Sequence, residues 1–128
     1  MILVDSDVVV AHLRGLDVAH DWLCVARQRG PLAISVVSIT EITGGMRSGE
    51  RREVWRLLTT FRAAPVSELI ARRAGEFMRT YQRSHSGIGL GDFLIAATAD
   101  VEGYELATLN VKHFPMFGRL TPAFPLGS

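Results

Sequence analysis

The chain has 128 residues, 48% hydrophobic and 21% charged, with 14 basic against 13 acidic residues and a formal net charge of +1. That size and composition suit one globular domain that buries its core without disulfides or a structural metal. The single cysteine, Cys24, excludes an intrachain disulfide, the scattered His12, His20, His85 and His113 lack zinc-ligand spacing, and the even charge balance offers no whole-protein electrostatic case for nucleic-acid binding.

Met1-Ile2-Leu3-Val4-Asp5 has neither the basic start nor the cleavage site of a signal peptide, and no apolar run approaches the roughly 18 residues of a membrane span. The expected location is therefore the cytoplasm, with no membrane partner. Ile2-Leu3-Val4 reads as a central strand buried on both faces. Either Asp5 or Asp7 caps a short helix ending near Gly15, although the valines at 8–10 weaken that helix. A second helix is expected from about Val18 to Arg29, with Trp22, Leu23 and Ala26 facing in and Gly30-Pro31 ending it. Leu32 to Val37 reads as the second strand. Ser38-Ile39-Thr40-Glu41 has capping-box spacing and opens a helix that frays at Gly44-Gly45. Glu50 to Arg62 is amphipathic, with Val54, Trp55, Leu58 and Phe61 inward. Pro65-Val66 is a break or a third strand, and Ser67 to Arg83 is a helix with Ile70, Ala74, Phe77, Met78 and Tyr81 on its apolar side. After a loop from Ser84 to Gly91, Asp92 begins the most apolar helix, which ends near Gly103. Glu105 to Leu109 is the last strand, and the tail from Pro115 onward is expected to be irregular. Short strands alternating with helices indicate an α/β domain with a parallel sheet, spanning 1–128 as a single unit.

Three acids stand at element boundaries: Asp5 after the first strand, Glu41 early in the helix after the second, and Asp92 at the start of the apolar helix. Ligands of parallel α/β sheets bind beyond the carboxyl ends of the strands, where neighbouring strands would bring these acids into one cleft. Clustered carboxylates repel, and either protonation or a hard divalent cation relieves them. Mg2+ and Mn2+ favour carboxylate and water oxygens and can orient a phosphodiester and activate water. Each acid also has a purely structural reading. Asp92 and Asp5 serve as N-caps, and Glu41 serves as a solvated helix residue or half of a capping box.

The local contexts resemble the PIN-domain family, and within it the VapC-type toxins of bacterial toxin–antitoxin pairs. Ile2 to Val10 is similar to the family's opening strand, where a small hydroxyl residue follows an aspartate. Ile34 to Gly45 is similar to its second motif, Gly91 to Ala99 to its third, and Leu106 to Phe114 to its closing motif. The four stand in the family's order and cover nearly the whole chain. The resemblance implies a PIN-like three-layer α/β/α sandwich with a central, mainly parallel sheet. It also implies an Mg2+- or Mn2+-dependent endoribonuclease that leaves 5′-phosphate and 3′-hydroxyl ends on RNA. Asp5, Glu41 and Asp92 match the family's acidic cluster, with Asp5 and Asp92 as metal ligands and Glu41 either completing the set or orienting a metal-bound water. His113 stands where many members carry another acid, which puts a second tightly held metal in doubt. Asn110 can offer an amide oxygen there, and His113 is read either as a phosphate contact or, in preference, as a surface residue. Thr108 and Ser6 are supporting hydroxyls. Asp7 is set aside, because side chains two apart on a helical turn point in different directions. The resemblance further implies a VapB-like antitoxin, docked on the apolar surface of the first helices, and a homodimer.

Two other functions compete. Asp5-Ser6-Asp7-Val8-Val9 matches the D-x-D-x-V motif of haloacid-dehalogenase-type phosphatases, but the only lysine, Lys112, follows Asp92, against that family's order. A non-catalytic partner-binding PIN-like module is the other. The basic complement is 13 arginines and that one lysine. Arg72, Arg79 and Arg83 share a helix stripe, and Arg47, Arg51 and Arg52 cluster near Gly44-Gly45. Both read as solvated faces or as phosphate contacts along an RNA path. Gly87-Ile88-Gly89-Leu90-Gly91 lacks dinucleotide-loop spacing and reads as a mobile loop before Asp92. Setting Asp5, Glu41 and Asp92 aside as cation-bound leaves 14 basic residues against 10 acidic ones, so the near-zero net charge is compatible with an acidic cleft in a modestly basic surface.

Overall fold

Two neighbouring residues of the first strand face opposite ways, and each enters its own core. In the computed structural model, which describes residues 1–125, β1 (Ile2–Val4) sends Leu3 into one apolar cluster and Val4 into another. β2 (Leu32–Ser35) divides the same way, with Ala33 on one side and Leu32 and Ile34 on the other. Successive strand side chains point to opposite faces, so a strand apolar on both must lie between two layers. With β3 (Arg62–Ala64) and β4 (Glu105–Ala107) these strands form a parallel sheet in the order β3-β2-β1-β4.

On the Val4 face lie α1 (Ser6–Leu13), α2 (Asp17–Gln28) and α4 (Arg51–Leu58), which contribute Val8, Val9, Leu23, Val54 and Leu58. On the Leu3 face lie α5 (Glu68–Tyr81) and α6 (Leu90–Glu102), which contribute Ile70, Phe77, Phe93 and Ile95. α3 (Val36–Gly45) bridges the layers, because Ile42 joins one core and Val37 packs against the other. This is the expected three-layer α/β/α arrangement. The tail after Phe114 has no helix or strand among the described residues, yet it is anchored: Ala123 N–H donates to the Thr108 carbonyl at 2.9 Å, and Phe124 is buried beside Trp22. The expected unit 1–128 and its irregular tail extend to residues 126–128, which lie outside the described residues. No helix among the described residues is long and apolar enough to cross a membrane.

Several boundaries differ from the sequence reading, among them β4, which stops at Ala107 rather than Leu109. The second strand stops at Ser35 rather than Val37. The Ser35 hydroxyl accepts from Val37 N–H at 3.0 Å and caps α3 three residues earlier than Ser38 would have. Ser38 is instead fully buried within the first turn of α3. α4 ends at Leu58, where Thr59 and Thr60 turn their hydroxyls onto the Arg56 and Leu57 carbonyls at 2.7 and 2.6 Å. Arg62, expected to close that helix, can then pair with Ala33 and start β3 (Arg62–Ala64), and Pro65, which has no N–H to donate, follows the strand. Trp55, expected inside, is 43% exposed, because Val54 and Leu58 already define the buried stripe of this short helix.

The sheet order carries the functional consequence. The chain leaves β1 toward β2 and β3 on one side, then returns through β4 on the other. Connections that part on either side of a strand leave a crevice at its carboxyl end, where ligands of such sheets bind. Asp5 occupies that position on β1.

The packing predicts a sharp contrast between two aromatic truncations. Phe93→Ala, at a fully buried position, should lower the unfolding free energy by about 3–5 kcal/mol. Trp55→Ala should change it by less than about 1 kcal/mol. Urea denaturation of both variants checks this.

Candidate active site

The site begins with a cap. Asp5 has extended backbone angles, and its Oδ1 accepts from Ser6 N–H at 2.8 Å, opening α1. Its own N–H donates to the Ala107 carbonyl at 2.8 Å, extending the β1–β4 ladder by one residue. These two bonds drive the side chain into the sheet edge, where Asp5 is 5% exposed. Its Oδ2 meets the fully buried Thr108 hydroxyl at 2.8 Å.

Asp7, set aside from the sequence, reaches the same hydroxyl. Its Oδ2 lies 3.2 Å from Thr108 Oγ1 and accepts from Leu109 N–H at 3.0 Å, while its Oδ1 is buried without a partner. Helical direction does not separate the two side chains, because Asp5 is not a helical residue. A capping side chain folds back over the first turn, toward the second helical position where Asp7 sits. Thr108 has one proton for two carboxylates, and its oxygen also accepts from Asn110 N–H at 3.1 Å. Burial above all, then the Asp7 charge, pushes Asp5 up to about 7 against the opposing bonds from Thr108 and Ser6. Asp7 is also raised, chiefly by burial, against bonds from Leu109 and Thr108.

Glu41 approaches from α3. Ser6 Oγ donates to its Oε1 at 3.3 Å, so the small hydroxyl after Asp5 ties the second acid to the first. The carboxyl is raised by partial burial and by the charges of Asp92 and Asp7, against the Ser6 bond. It lies against Gly91, where an added Cβ would come within 3.2 Å of Oε2. The glycine expected in a loop is therefore helical and makes room for the carboxylate. Gly89 caps α6 instead of Asp92, whose Oδ2 accepts from Gly89 N–H at 3.0 Å from the third helical position.

His113, expected at the surface, is half-buried, with Nδ1 3.1 Å from Asp92 Oδ2. The Asn110 amide nitrogen is 3.0 Å from the same ring nitrogen. One ring nitrogen cannot donate to Asp92 and accept from Asn110 at once, so the two contacts are alternatives set by the tautomer. The three-residue spacing of Asn110 and His113 was the available signal, because residues i and i+3 eclipse on the 3-10 turn formed by Val111–His113.

The donors suit a hard divalent cation. Asp5, Asp7 and Glu41 supply carboxylate oxygens, burial raises the proton affinity of all three, the Asp7 and Asp92 charges add to it at Asp5 and Glu41, and Asp7 Oδ1 is a buried acceptor with nothing to accept from. As the side chains stand, no three His, Cys, Asp or Glu groups among the described residues are placed to hold an ion together. Chelation requires them to turn inward from Thr108, Ser6 and His113.

Asp5 also sets a pH dependence. Between 3.8 and about 7 the folded chain keeps a proton that the unfolded chain has released. The native state then binds more protons, so this group's effect on stability becomes less favourable as pH rises through that window and levels off above it. The full difference is at most about 4 kcal/mol. Asp5→Asn, which still caps α1, should gain on the parent protein from about pH 4 to 7 in cation-free buffer and hold a constant advantage above that. Urea unfolding at a series of pH values measures the gap, and a gap independent of pH would remove Asp5 as its source.

Comparison with known proteins gives the family of the chain. The PIN domain family model matches residues 2–116. Ribonuclease VapC10 of Mycobacterium tuberculosis (strain ATCC 25618 / H37Rv) is 68% identical over 124 residues, 97% of this chain and 93% of that protein. Ribonuclease VapC19 of the same strain is 38% identical over 125 residues, 97% of this chain and all of that protein. A solved toxin–antitoxin complex from Klebsiella pneumoniae contains a chain of the same fold, with a TM-score of 0.80 at 24% identity, covering 98% of this chain and 100% of that one. The chain belongs to the PIN-domain family.

Proposed function

We propose that this chain is a VapC-type endoribonuclease, the toxin of a toxin–antitoxin pair, acting as one PIN-like domain in the cytoplasm. The observation that carries the reading is the 68% identity to Ribonuclease VapC10 across 97% of the chain. The acidic cluster at the carboxyl end of β1 supports it, because phosphodiester hydrolysis needs the charge of the phosphate offset and a nucleophile oriented in line.

Asp5 and Asp92 would hold Mg2+ or Mn2+, with Glu41 completing the set. The bound cation supplies Lewis-acid stabilisation of the phosphate and a more acidic water. The remaining work falls to the chain. Thr108 holds Asp5 and Asp7 at fixed separation, and Ser6 holds Glu41 toward them. His113, donating from Nδ1, would set the direction of Asp92. Glu41, the most exposed of the three sequence-matched acids and raised in proton affinity, is placed to orient the attacking water and accept its proton.

A VapB-like antitoxin and a second copy of the chain are the proposed partners. The neighbouring fold in a solved toxin–antitoxin complex is consistent with the first. The alternative, a non-catalytic module, draws on the absence of three ligand groups already turned toward a common point among the described residues.

RNA cleavage by the purified protein should vanish in EDTA and return with Mg2+ or Mn2+. Asp5→Ala and Asp92→Ala should each lower it by about 100-fold or more, the equivalent of several kcal/mol of lost charge stabilisation, with circular dichroism unchanged. Full activity in both variants sinks the assignment. Titration calorimetry that finds neither cation binding nor cleavage favours the non-catalytic module. Co-purification of a small partner with the chain expressed from its native operon tests the antitoxin.

A further inference from the structure

Glu41 has a second neighbourhood. The side chain that faces Gly91 and Ser6 also borders a groove of about 430 Å3 between α1, α3 and α4. That volume falls within the about 300–1,000 Å3 typical of small-ligand sites. Its floor is apolar: Val10, Leu13 and Met46 are half-buried over the buried Ile42 and Val54. At its rim stand Arg14, at the end of α1, and Arg47, just after α3. Among the described residues neither guanidinium lies within ion-pair distance of a carboxylate, whereas Arg72 and Arg73 of α5 are both paired. The remaining acid of the groove, Glu50, accepts from Arg47 N–H through Oε1 at 3.0 Å, which leaves Oε2 available as an acceptor.

We propose that this groove holds the RNA nucleotide next to the cleaved bond, with its phosphate between Arg14 and Arg47 and its base on the Val10, Leu13 and Met46 floor. The inference rests on the ribonuclease reading and adds to it where the strand runs. Each feature answers a part of a nucleotide. Two unpaired guanidiniums, each a planar fork of N–H donors, can each engage the non-bridging oxygens of a tetrahedral phosphate. An apolar floor accepts the face of any base, giving affinity without sequence choice. Glu50 Oε2 can accept from a ribose 2′-hydroxyl, the group that separates RNA from DNA. Continuity with Glu41 places this nucleotide directly beside the acids. Arg47 thereby leaves the solvated face it was grouped with in the sequence, and Arg14, which belonged to no cluster there, joins it only through the fold.

The test is RNA binding, read apart from cleavage. A 5′-fluorescein-labelled single-stranded oligoribonucleotide of mixed sequence is titrated with the full chain in EDTA at several salt concentrations, and anisotropy gives the slope of log affinity against log salt. Arg14→Gln and Arg47→Gln should each reduce the slope by about 0.7 and the double variant by about 1.4, as expected for one and two lost contacts to single-strand phosphates. Arg72→Gln, on α5 and away from the groove, should leave it unchanged. An equal reduction in Arg72→Gln would mean that total charge suffices, and would overturn the proposal. Unchanged slopes in Arg14→Gln and Arg47→Gln overturn it while leaving the ribonuclease reading intact. If those variants instead weaken capture of a co-expressed antitoxin, the groove belongs to a protein segment. Failure of the parent protein to bind RNA in EDTA overturns the proposal, while cleavage restored by Mg2+ or Mn2+ judges the ribonuclease reading separately.

Discussion

A single buried hydroxyl organises the acidic edge of this domain. Thr108 stands at the end of β4 and meets Asp5 and Asp7 at 2.8 and 3.2 Å with one proton between them. The arrangement sets two like charges side by side out of water, which is unfavourable unless a proton or a cation intervenes. The fold accepts that strain because the same contacts close the sheet. The Asp5 N–H continues the β1–β4 ladder, the Asp5 carboxylate starts α1, and the Asp7 carboxylate receives the Leu109 N–H as the chain leaves β4. The groups that crowd the site therefore also secure its scaffold.

This coupling explains why the acids sit on element ends rather than within elements. A cap residue has a free side chain and a fixed backbone, so Asp5 can satisfy a helix N–H with one oxygen and present the other to the cleft. Asp92 does the same from the third position of α6, reaching back to Gly89 N–H. Glu41 is different. It comes from the second turn of α3 and is held by Ser6 rather than by its own helix. Its approach depends on Gly91, because a side chain there would press on its carboxylate. The raised proton affinity of Asp5, Asp7 and Glu41 follows from their burial, with the Asp7 and Asp92 charges adding to it at Asp5 and Glu41, and a divalent cation would lower it again.

The cleft also has an unequal rim. One side carries the imidazole of His113 against Asp92. The other opens past Glu41 onto a groove with arginines at its edge. The near-neutral net charge conceals this division: acids are gathered at the strand ends, and unpaired guanidiniums stand beside them.

Much of this was legible in the residues. Ile2-Leu3-Val4, apolar on both faces, could only be an inner strand, and Asp5, Glu41 and Asp92 stood out because each follows or opens an apolar element. The composition of Phe93 to Ala99 made α6 a buried helix before any contact was known. What the residues left undecided was settled by pairing between distant segments. Ser35 rather than Ser38 caps α3, and Arg62–Ala64 rather than Pro65-Val66 forms β3, because strand register is chosen by the neighbouring strand and not by local propensity. Asp7 and His113 enter the site, and Arg14 joins Arg47, by contacts that span up to about a hundred residues of sequence. The sequence alone determined which side chains carry charge and which segments must be buried. Only the tertiary structure decided which charges share a proton, since that depends on ångström-scale distances between chain segments that local periodicity does not encode.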